Sequence, residues 1–346
     1  MSILYKEIAQ NIVEYIHSIP ATDKKLPTER DFSEMYKVSR QTIRHALDIC
    51  EKNNLITRRH GSGIYLSDSY LKSQNHIAIL ISHADEYTNP LLLRELQKRF
   101  SLCSYSFDIY ETNDNIYTQR QILKDLMQEN LKCIIVQQYN TALPIPFPDL
   151  YKKIINKGTK IIFIGKPYPN LVDVSYVECD NYYSAYSIAG RVIADNRPWC
   201  AIFMSNNNDS IDKYLGFTQS MHELNSRYDS SNINWINYSD ICDMRNRKDT
   251  SSIQKILQRF SKMPNNFVCN NDELAYWLIY QLNKQDQMSD DISIYSFDNS
   301  YIHTIIDHKL LSYGTDMATL ATSIVEMSLN AKKEKEIITL PSSFQS

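Results

Sequence analysis

Arg40, Gln41 and Arg44 stand close together in this chain, with Ser39 just ahead of them and Thr42 among them. Arg and Gln side chains make bidentate contacts with guanine and adenine edges in the major groove of duplex DNA. The hydroxyls of Ser39 and Thr42, with the free N–H groups of a helix start, suit phosphates. Arg58, Arg59 and His60 lead into Gly61-Ser62-Gly63, a basic hairpin tip able to lie along the DNA backbone or in the minor groove. Taken singly, each of these arginines reads as a solvated surface charge. As an ordered set running from Leu26 to Gly63, they read as a DNA-contacting surface.

A second group of polar side chains lies further along, each just beyond a short apolar run. Ser82 to Pro90 holds Tyr87, Gln137 and Gln138 follow the run 132–136, and Gly165-Lys166 follows 160–164. Lys213 precedes Gly216-Phe217, Asn271 opens Asn271-Asp272-Glu273, and Asp298 follows Ser296-Phe297. Amides, acids and lysines converging on one cleft hydrogen-bond many hydroxyls in fixed directions, which is the chemistry of sugar recognition. Tyr87 or Phe217 is the candidate to cover a sugar ring face. Read singly, Asn271-Asp272 is an ordinary helix cap and Lys213 a solvent-facing lysine. Lys166 is placed in the cleft on geometry alone.

The elements that must position the first group are three helices and a hairpin. Leu4, Ile8, Ile12, Tyr15, Ile16 and Ile19 recur at helical spacing, so residues 3–18 are predicted as an amphipathic helix that Pro20 ends. Thr28 is the N-cap of a second helix, with acids in its first turn. Ser39 caps a third, Arg40 to about Lys52, with Ile43, Ala46, Leu47 and Cys50 inward. Strands at 55–59 and 63–66 form the wing. Two helices joined by a short turn, with Arg, Gln and Thr on the first turn of the second, make a helix-turn-helix.

After residue 76, apolar runs alternate with helical patterns. Strands are expected at 76–81, 105–110, 132–136, 160–164, 199–204, 233–237, 266–269 and 292–297. Helices are expected at 90–101, 114–130, 148–157, 182–195, 210–225, 250–261 and 272–284. Such alternation predicts a doubly wound α/β architecture. About 270 residues is long for one sheet, so two similar lobes are expected, with ligand at the carboxyl ends of the strands. The domains are read as 1–66 for DNA binding, 67–75 as a polar linker, and 76–346 as a two-lobed effector-binding and dimerisation domain.

Composition narrows the function classes. The 346 residues carry 37 Lys/Arg against 40 Asp/Glu, with 22% charged and 43% hydrophobic, an ordinary globular balance. Residues 1–72 hold 11 basic and 9 acidic residues, a net +2, and the remainder is net −5, so a weakly basic module precedes an acidic one. No run of about 18 apolar residues suggests a membrane span, and the first residues do not read as a signal peptide. The seven cysteines lie at least 21 residues apart, which argues against a metal knuckle or a disulfide framework and for a cytoplasmic location. No metal or cofactor is expected, and no Gly-x-Ser-x-Gly, P-loop, His-Glu-x-x-His or Gly-x-Gly-x-x-Gly is present, so the chain is not read as an enzyme.

Leu26-Pro-Thr-Glu-Arg30, Val38-Ser-Arg-Gln-Thr-Ile-Arg-His-Ala-Leu47, Leu55-Ile-Thr-Arg-Arg59 and Gly61-Ser-Gly63 resemble the winged-helix domain of GntR-type bacterial regulators. The resemblance implies that Arg30, Arg40, Gln41, Thr42, Arg44, His60 and Gly61 touch the operator, and that two copies act together on a two-fold-related site. Cys179-Asp-Asn181, Lys213-Tyr-Leu-Gly-Phe217, Asn271-Asp-Glu-Leu-Ala275 and Ile292-Ser-Ile-Tyr-Ser-Phe-Asp-Asn299 resemble the LacI/GalR effector domain, which is similar to periplasmic sugar-binding proteins. The pairing of the two is the layout of the arabinose-repressor group, which Tyr139-Asn-Thr-Ala-Leu143 also resembles. This resemblance implies effector contacts at Lys213, Asn271 and Asp298, and favours L-arabinose or a similar pentose. Two positions depart from the family pattern: Lys213 stands where Arg is usual, and Ser296 where Gly is usual. Lys is a single-point donor where Arg is a fork.

Together these readings predict a dimeric repressor of carbohydrate-utilisation genes, released from its operator by a small sugar. The alternatives weighed are a regulator responding to a different molecule, a sensor that has lost its ligand, a transport-type sugar-binding protein, and a fusion to a pyridoxal-phosphate aminotransferase. The last two are disfavoured by the missing signal peptide and by the absence of a Schiff-base lysine context.

Overall fold

A computed structural model describes residues 4–19, 24–73, 75–129, 131–138, 141–205, 207–224, 229–306, 308, 310–330 and 334–345. Pro20, the expected helix stop, and Tyr139 and Asn140 of the arabinose-repressor-like stretch lie outside the described residues.

The first module is built as its patterning dictates. Helix α1 (Leu4–Ser18) buries Ile8, Ile12 and Ile16 on one stripe. A two-residue strand β1 (Lys25–Leu26), which the sequence did not announce, precedes α2 (Glu29–Tyr36). Thr28 caps α2 with a full capping box: its hydroxyl faces the Asp31 backbone N–H, and the Asp31 carboxylate accepts from the Thr28 N–H at 2.9 Å. Ser39 caps α3 (Arg40–Lys52), which buries Ile43, Ala46, Leu47 and Cys50 against α1. Strands β2 (Ile56–Arg59) and β3 (Gly63–Leu66) form the wing, and β1 pairs with β3 to complete a three-stranded antiparallel sheet. Gly61 turns the wing tip at φ +71°, a left-handed conformation that glycine adopts without a Cβ penalty.

The stretch expected as a polar linker is partly helical. Helix α4 (Asp68–Ser73) starts where the Ser67 hydroxyl accepts from the Tyr70 N–H at 3.0 Å. Tyr70 is buried in the first module's core, with Leu71 packed on it. The polar composition around these two apolar residues hid both the cap and the anchor.

The remainder is doubly wound α/β in two lobes. Its elements are β4 (His76–Ile81), α5 (Asn89–Leu102), β5 (Ser106–Glu111), α6 (Ile116–Leu126), β6 (Cys133–Gln137), α7 (Pro148–Asn156), β7 (Lys160–Ile164), β8 (Ser175–Cys179), α8 (Asn181–Asp195), β9 (Trp199–Met204), α9 (Asn208–Leu224), β10 (Ile233–Ile236), α10 (Tyr238–Arg247), α11 (Ser251–Leu257), β11 (Asn266–Cys269), α12 (Asp272–Lys284), β12 (Ser293–Phe297), β13 (Leu310–Gly314), α13 (Met317–Leu329), β14 (Ile337–Leu340) and β15 (Ser343–Gln345). One sheet runs β5-β4-β6-β7-β8-β14 and the other β10-β9-β11-β12-β13-β15, the same strand order twice. All pairings are parallel except β13 with β15. The apolar run of β4 is buried almost throughout, as a central parallel strand requires.

The chain passes between lobes three times: from β8 into α8, from β13 into α13, and from β14 into β15. After the second crossing, α13 returns Leu320, Ala321 and Ile324 to the core of the first lobe. Several of these elements escaped the apolar pattern. Strand β8 is only partly apolar, and in α10 the charges of Asp240, Asp243, Arg245 and Arg247 leave Ile241 and Met244 as its buried residues. The helix expected over 250–261 is the shorter α11, and β13 through β15 lie beyond the last predicted strand. Among the described residues no helix is long and apolar enough to cross a membrane.

Candidate functional site

On the winged helix, Arg40 and Gln41 project from the first turn of α3, exposed, and their side chains make no hydrogen bond or ion pair among the described residues. Ser39 and Thr42 share a hydroxyl contact of 2.9 Å at the cap, which fixes the start of the helix. Arg44 pairs with Glu29 of α2 at 2.8 Å, and Arg30 with Glu34 at 2.9 Å, both at the surface. His60 and Gly61 are exposed at the wing tip, where Arg59 lies over the Tyr65 ring at 5.0 Å. Arg58 is differently placed from the rest. Its guanidinium holds Asp48 at 2.5 Å and Glu51 at 2.6 Å, and its backbone N–H donates to Glu51 at 3.0 Å. Arg58 therefore ties the wing to α3, and its charge is already committed within the protein.

Between the two lobes lies a cavity of about 330 Å³, at the carboxyl ends of the strands. All six residues expected to meet the effector line it: Tyr87, Gln138, Lys166, Lys213, Asn271 and Asp298. Phe217 does not. It is fully buried in the second lobe's core, 5.5 Å from the Trp199 ring, so it cannot cover a ligand. Its neighbour Gly216 explains why: a Cβ there would stand 2.0 Å from the Tyr182 carbonyl oxygen, so α8 and α9 pack with no room between them.

Lys213 is buried rather than solvent-facing. Its ammonium donates to the Asn270 carbonyl at 3.0 Å and to Asp298 at 3.2 Å, and lies 4.7 Å from the centre of the Phe297 ring. Asp298 is held at φ +95°, outside the common backbone regions, so its loop is fixed by something else. That support is Asp272. Its carboxylate, fully buried, accepts from the hydroxyls of Ser296, Ser312 (2.6 Å) and Ser300 (2.7 Å), and from the Ser300 N–H at 2.7 Å. Ser296, the departure from the expected glycine, thus serves this buried cage and is not part of the cavity wall. Burial and the nearby Asp298 push the Asp272 carboxyl above its ordinary value.

Among the described residues, four direct contacts join the lobes across the cavity. The Tyr87 hydroxyl donates to Asp298 at 2.8 Å. The Tyr238 hydroxyl donates to Asp114 at 2.5 Å, and His83 stands 3.3 Å from the same carboxylate. Arg245 forks onto Glu273 and reaches Glu86 of the other lobe at 2.7 Å. Lys166 pairs with Asp212, with Glu178 at 3.8 Å. Burial, then Asp298, hold the Tyr87 phenol far above its ordinary value, so it remains a donor. Gln138 donates to the Thr141 carbonyl, and Asn271 caps α12 while also facing the cavity. Gln137 accepts from the Ser82 N–H and donates to Asn89, so it braces loops. Arg245, Tyr238, Asp114, Glu86 and Asp209 were not anticipated. Of these, Asp209 carried a usable signal, at a helix start just past the apolar run 199–204.

Residues 4–66 match the model of the bacterial regulatory proteins, gntR family. This segment is similar to the DNA-binding domain of that family. Over nearly its whole length the chain is similar to the arabinose metabolism transcriptional repressor of Halalkalibacterium halodurans, at 23% identity covering 99% of this chain and 95% of that protein. It is equally similar to the protein of the same description from Geobacillus stearothermophilus, at 23% identity over 96% and 92% of the two chains. Its fold resembles a periplasmic binding protein/LacI transcriptional regulator from Alkaliphilus metalliredigens, solved with D-xylulofuranose. That match has a TM-score of 0.65 at 15% identity and covers 79% of this chain and 97% of the other. The segment that matches the gntR-family model is thus joined to a two-lobed α/β fold like that of this solved regulator.

Proposed function

We propose that this chain is a sugar-responsive transcriptional repressor that is not an enzyme. It acts in the cytoplasm as a homodimer, since one winged helix reads too few bases alone. The first turn of α3 enters the major groove, with Arg40 and Gln41 toward base edges, while Ser39, Thr42, Arg30 and Arg44 meet the backbone and His60 and Gly61 lead the wing. Residues 67–75 join this module to the sensor at 76–346, with α4 covering Asp68–Ser73 of that stretch.

The observation that carries the sensor reading is the convergence of Tyr87, Gln138, Lys166, Lys213, Asn271 and Asp298 on one interlobe cavity. Amide, lysine and carboxylate groups there offer donors and acceptors to a polyhydroxy ligand. L-arabinose or a similar pentose is the favoured effector, supported by the two relatives described as arabinose metabolism repressors. The effector must favour the state that binds DNA weakly, or it shifts nothing. A hundredfold release needs about 2.7 kcal/mol of coupling.

The test is fluorescence anisotropy on DNA from upstream of the chain's own gene, with and without L-arabinose. Tight binding that weakens steeply with salt and is released by the sugar is expected. Salt-insensitive binding refutes the DNA surface. Binding that no sugar alters refutes the sensor reading.

A further inference from the structure

Six carboxylates line the interlobe cavity: Glu86, Asp114, Glu178, Asp209, Glu273 and Asp298. Against them stand three permanent cations, Lys166, Lys213 and Arg245. Each cation is already taken: Lys166 by Asp212, Lys213 by Asp298, and Arg245 by Glu273 and Glu86. Five of the six carboxylates are likewise partnered. Glu86 and Glu273 hold Arg245, Asp114 holds Tyr238, Asp298 holds Tyr87 and Lys213, and Glu178 accepts from Thr339 at 3.3 Å with Lys166 beyond. Asp209 is the exception. Its carboxylate makes no hydrogen bond or ion pair among the described residues.

Its position is fixed. Asp209 sits in the first turn of α9, one turn ahead of Lys213 on the same helix. One of its oxygens faces Gly165 of the other lobe, 4.0 Å from where a Cβ on that glycine would stand. The carboxylate therefore looks across the cavity from the second lobe toward the first.

We propose that Asp209 is a specificity-determining residue of the effector site: its two oxygens accept a pair of neighbouring hydroxyls from the ligand, and its unpaired charge rejects phosphorylated sugars. An ionised carboxylate is acceptor-only with two oxygens, which suits two O–H donors on adjacent carbons. A phosphate brings only acceptors and negative charge, and finds no cation free to receive it. The inference rests on the sugar-sensor reading above and adds to it the residue that selects the ligand's charge.

The test uses the full-length protein on its operator, with L-arabinose, D-xylose, D-ribose and D-galactose as uncharged probes and D-ribose 5-phosphate as the anionic one. Release is read relative to each protein's own sugar-free complex. In the wild type an uncharged sugar should release DNA, while D-ribose 5-phosphate should need at least 100-fold more. Asp209→Asn, nearly isosteric, should raise the sugar concentration for half-release 10- to 100-fold and narrow the neutral-over-phosphate preference at least tenfold. Asp209→Glu, which keeps the charge, should recover part of that preference. An unchanged sugar response in Asp209→Asn overturns the proposal and leaves the sensor reading standing. So does release of the wild type by D-ribose 5-phosphate at the same concentration as the free sugar. If none of the five probes moves the wild type in release or in melting temperature, the sensor reading falls and the proposal falls with it.

Discussion

Replacing Tyr87 by Phe removes one oxygen from the interlobe cavity and leaves the ring in place. The lost bond runs from the Tyr87 hydroxyl in the first lobe to Asp298 in the second, at 2.8 Å. Its acceptor is a carboxylate that also meets Lys213, so its net worth is taken in the range of about 1.5–3 kcal/mol given for hydrogen bonds to charged groups. The phenol is pushed far above its ordinary value, first by burial and then by Asp298, so it donates throughout the physiological range. Because the bond crosses the lobes, its loss acts on the equilibrium between joined and separated lobes. The ratio should shift toward separation by about 10- to 150-fold. Three bridges remain, at Tyr238–Asp114, Arg245–Glu86 and Lys166–Asp212, so the lobes should loosen without the lobe cores losing stability. Single-molecule energy transfer between dyes at exposed Tyr117 in the first lobe and exposed Leu224 in the second reads this directly. A second, low-transfer population should grow in Tyr87→Phe. An unchanged distribution with an unchanged melting temperature would show that this bond contributes nothing to lobe closure, and the argument from cross-lobe contacts fails.

Other outcomes follow from the same geometry. Gly216→Ala should destabilise the sensor by about 3 kcal/mol or more, because the new Cβ meets the Tyr182 backbone 2.0 Å away; a melting temperature within a degree of wild type refutes the close packing of α8 on α9. Arg40→Ala should lose about 1–3 kcal/mol of operator affinity and relax the sequence preference. Arg58→Ala should instead lower the melting temperature of the winged-helix module by loosening the wing, and a purely base-specific loss in an operator-variant panel would reverse that assignment. Burial, and beyond it Asp298 and Asp212, raise the Asp209 carboxyl above its ordinary 3.8, despite the opposing Lys213 and Lys166. In the proposed site it is the ionised form that would accept sugar hydroxyls, so acidification should weaken sugar response as pH falls through that raised value; Asp209→Asn should flatten the dependence, and titrations at stepped pH check both. Asp272→Ala should cost about 3–5 kcal/mol, since it strands three buried hydroxyls and one N–H, and chemical denaturation measures it.

The winged helix was legible because its signals are local. Thr28 and Ser39 cap their helices within three residues of their partners, and the wing turn is written in Gly61 and Gly63. The α/β alternation was legible where strands are buried on both faces and read as apolar runs, as in β4, β6 and β9. Strand β8 and helix α10 were not, since their burial is partial and set by neighbours far along the chain. The six cavity residues were placed together because loops at strand ends are ligand positions in such folds. What sequence could not supply was pairing between lobes. Glu86 and Arg245 lie far apart in sequence, and nothing local to either names the other as its partner.

The buried cage around Asp272 shows how one departure from a family pattern can preserve the site it adjoins. A glycine at 296 would offer Asp272 no hydroxyl. Here Ser296, Ser300 and Ser312 fill three of its acceptor positions, and the Ser300 N–H fills a fourth. Ser300 follows Asp298 and Asn299 directly, so anchoring it fixes the end of their turn. The Asp298 N–H donates to the Tyr313 carbonyl at 3.0 Å, and the Asn299 N–H donates to the Ser312 hydroxyl at 2.9 Å, so the turn is pinned to β13 as well. Asp298 thus holds its rare backbone conformation through its own N–H and bonds made by its neighbours, with no call on its side chain. Both oxygens of its own carboxylate are left to face outward, one toward Lys213 and one toward Tyr87. On the sensor reading proposed above, a ligand hydroxyl arriving there would compete with Tyr87 rather than with the fold. In the proposed sensor such an effector would alter the lobe contact without disturbing the core that presents Asp298, which is what a reversible sensor requires.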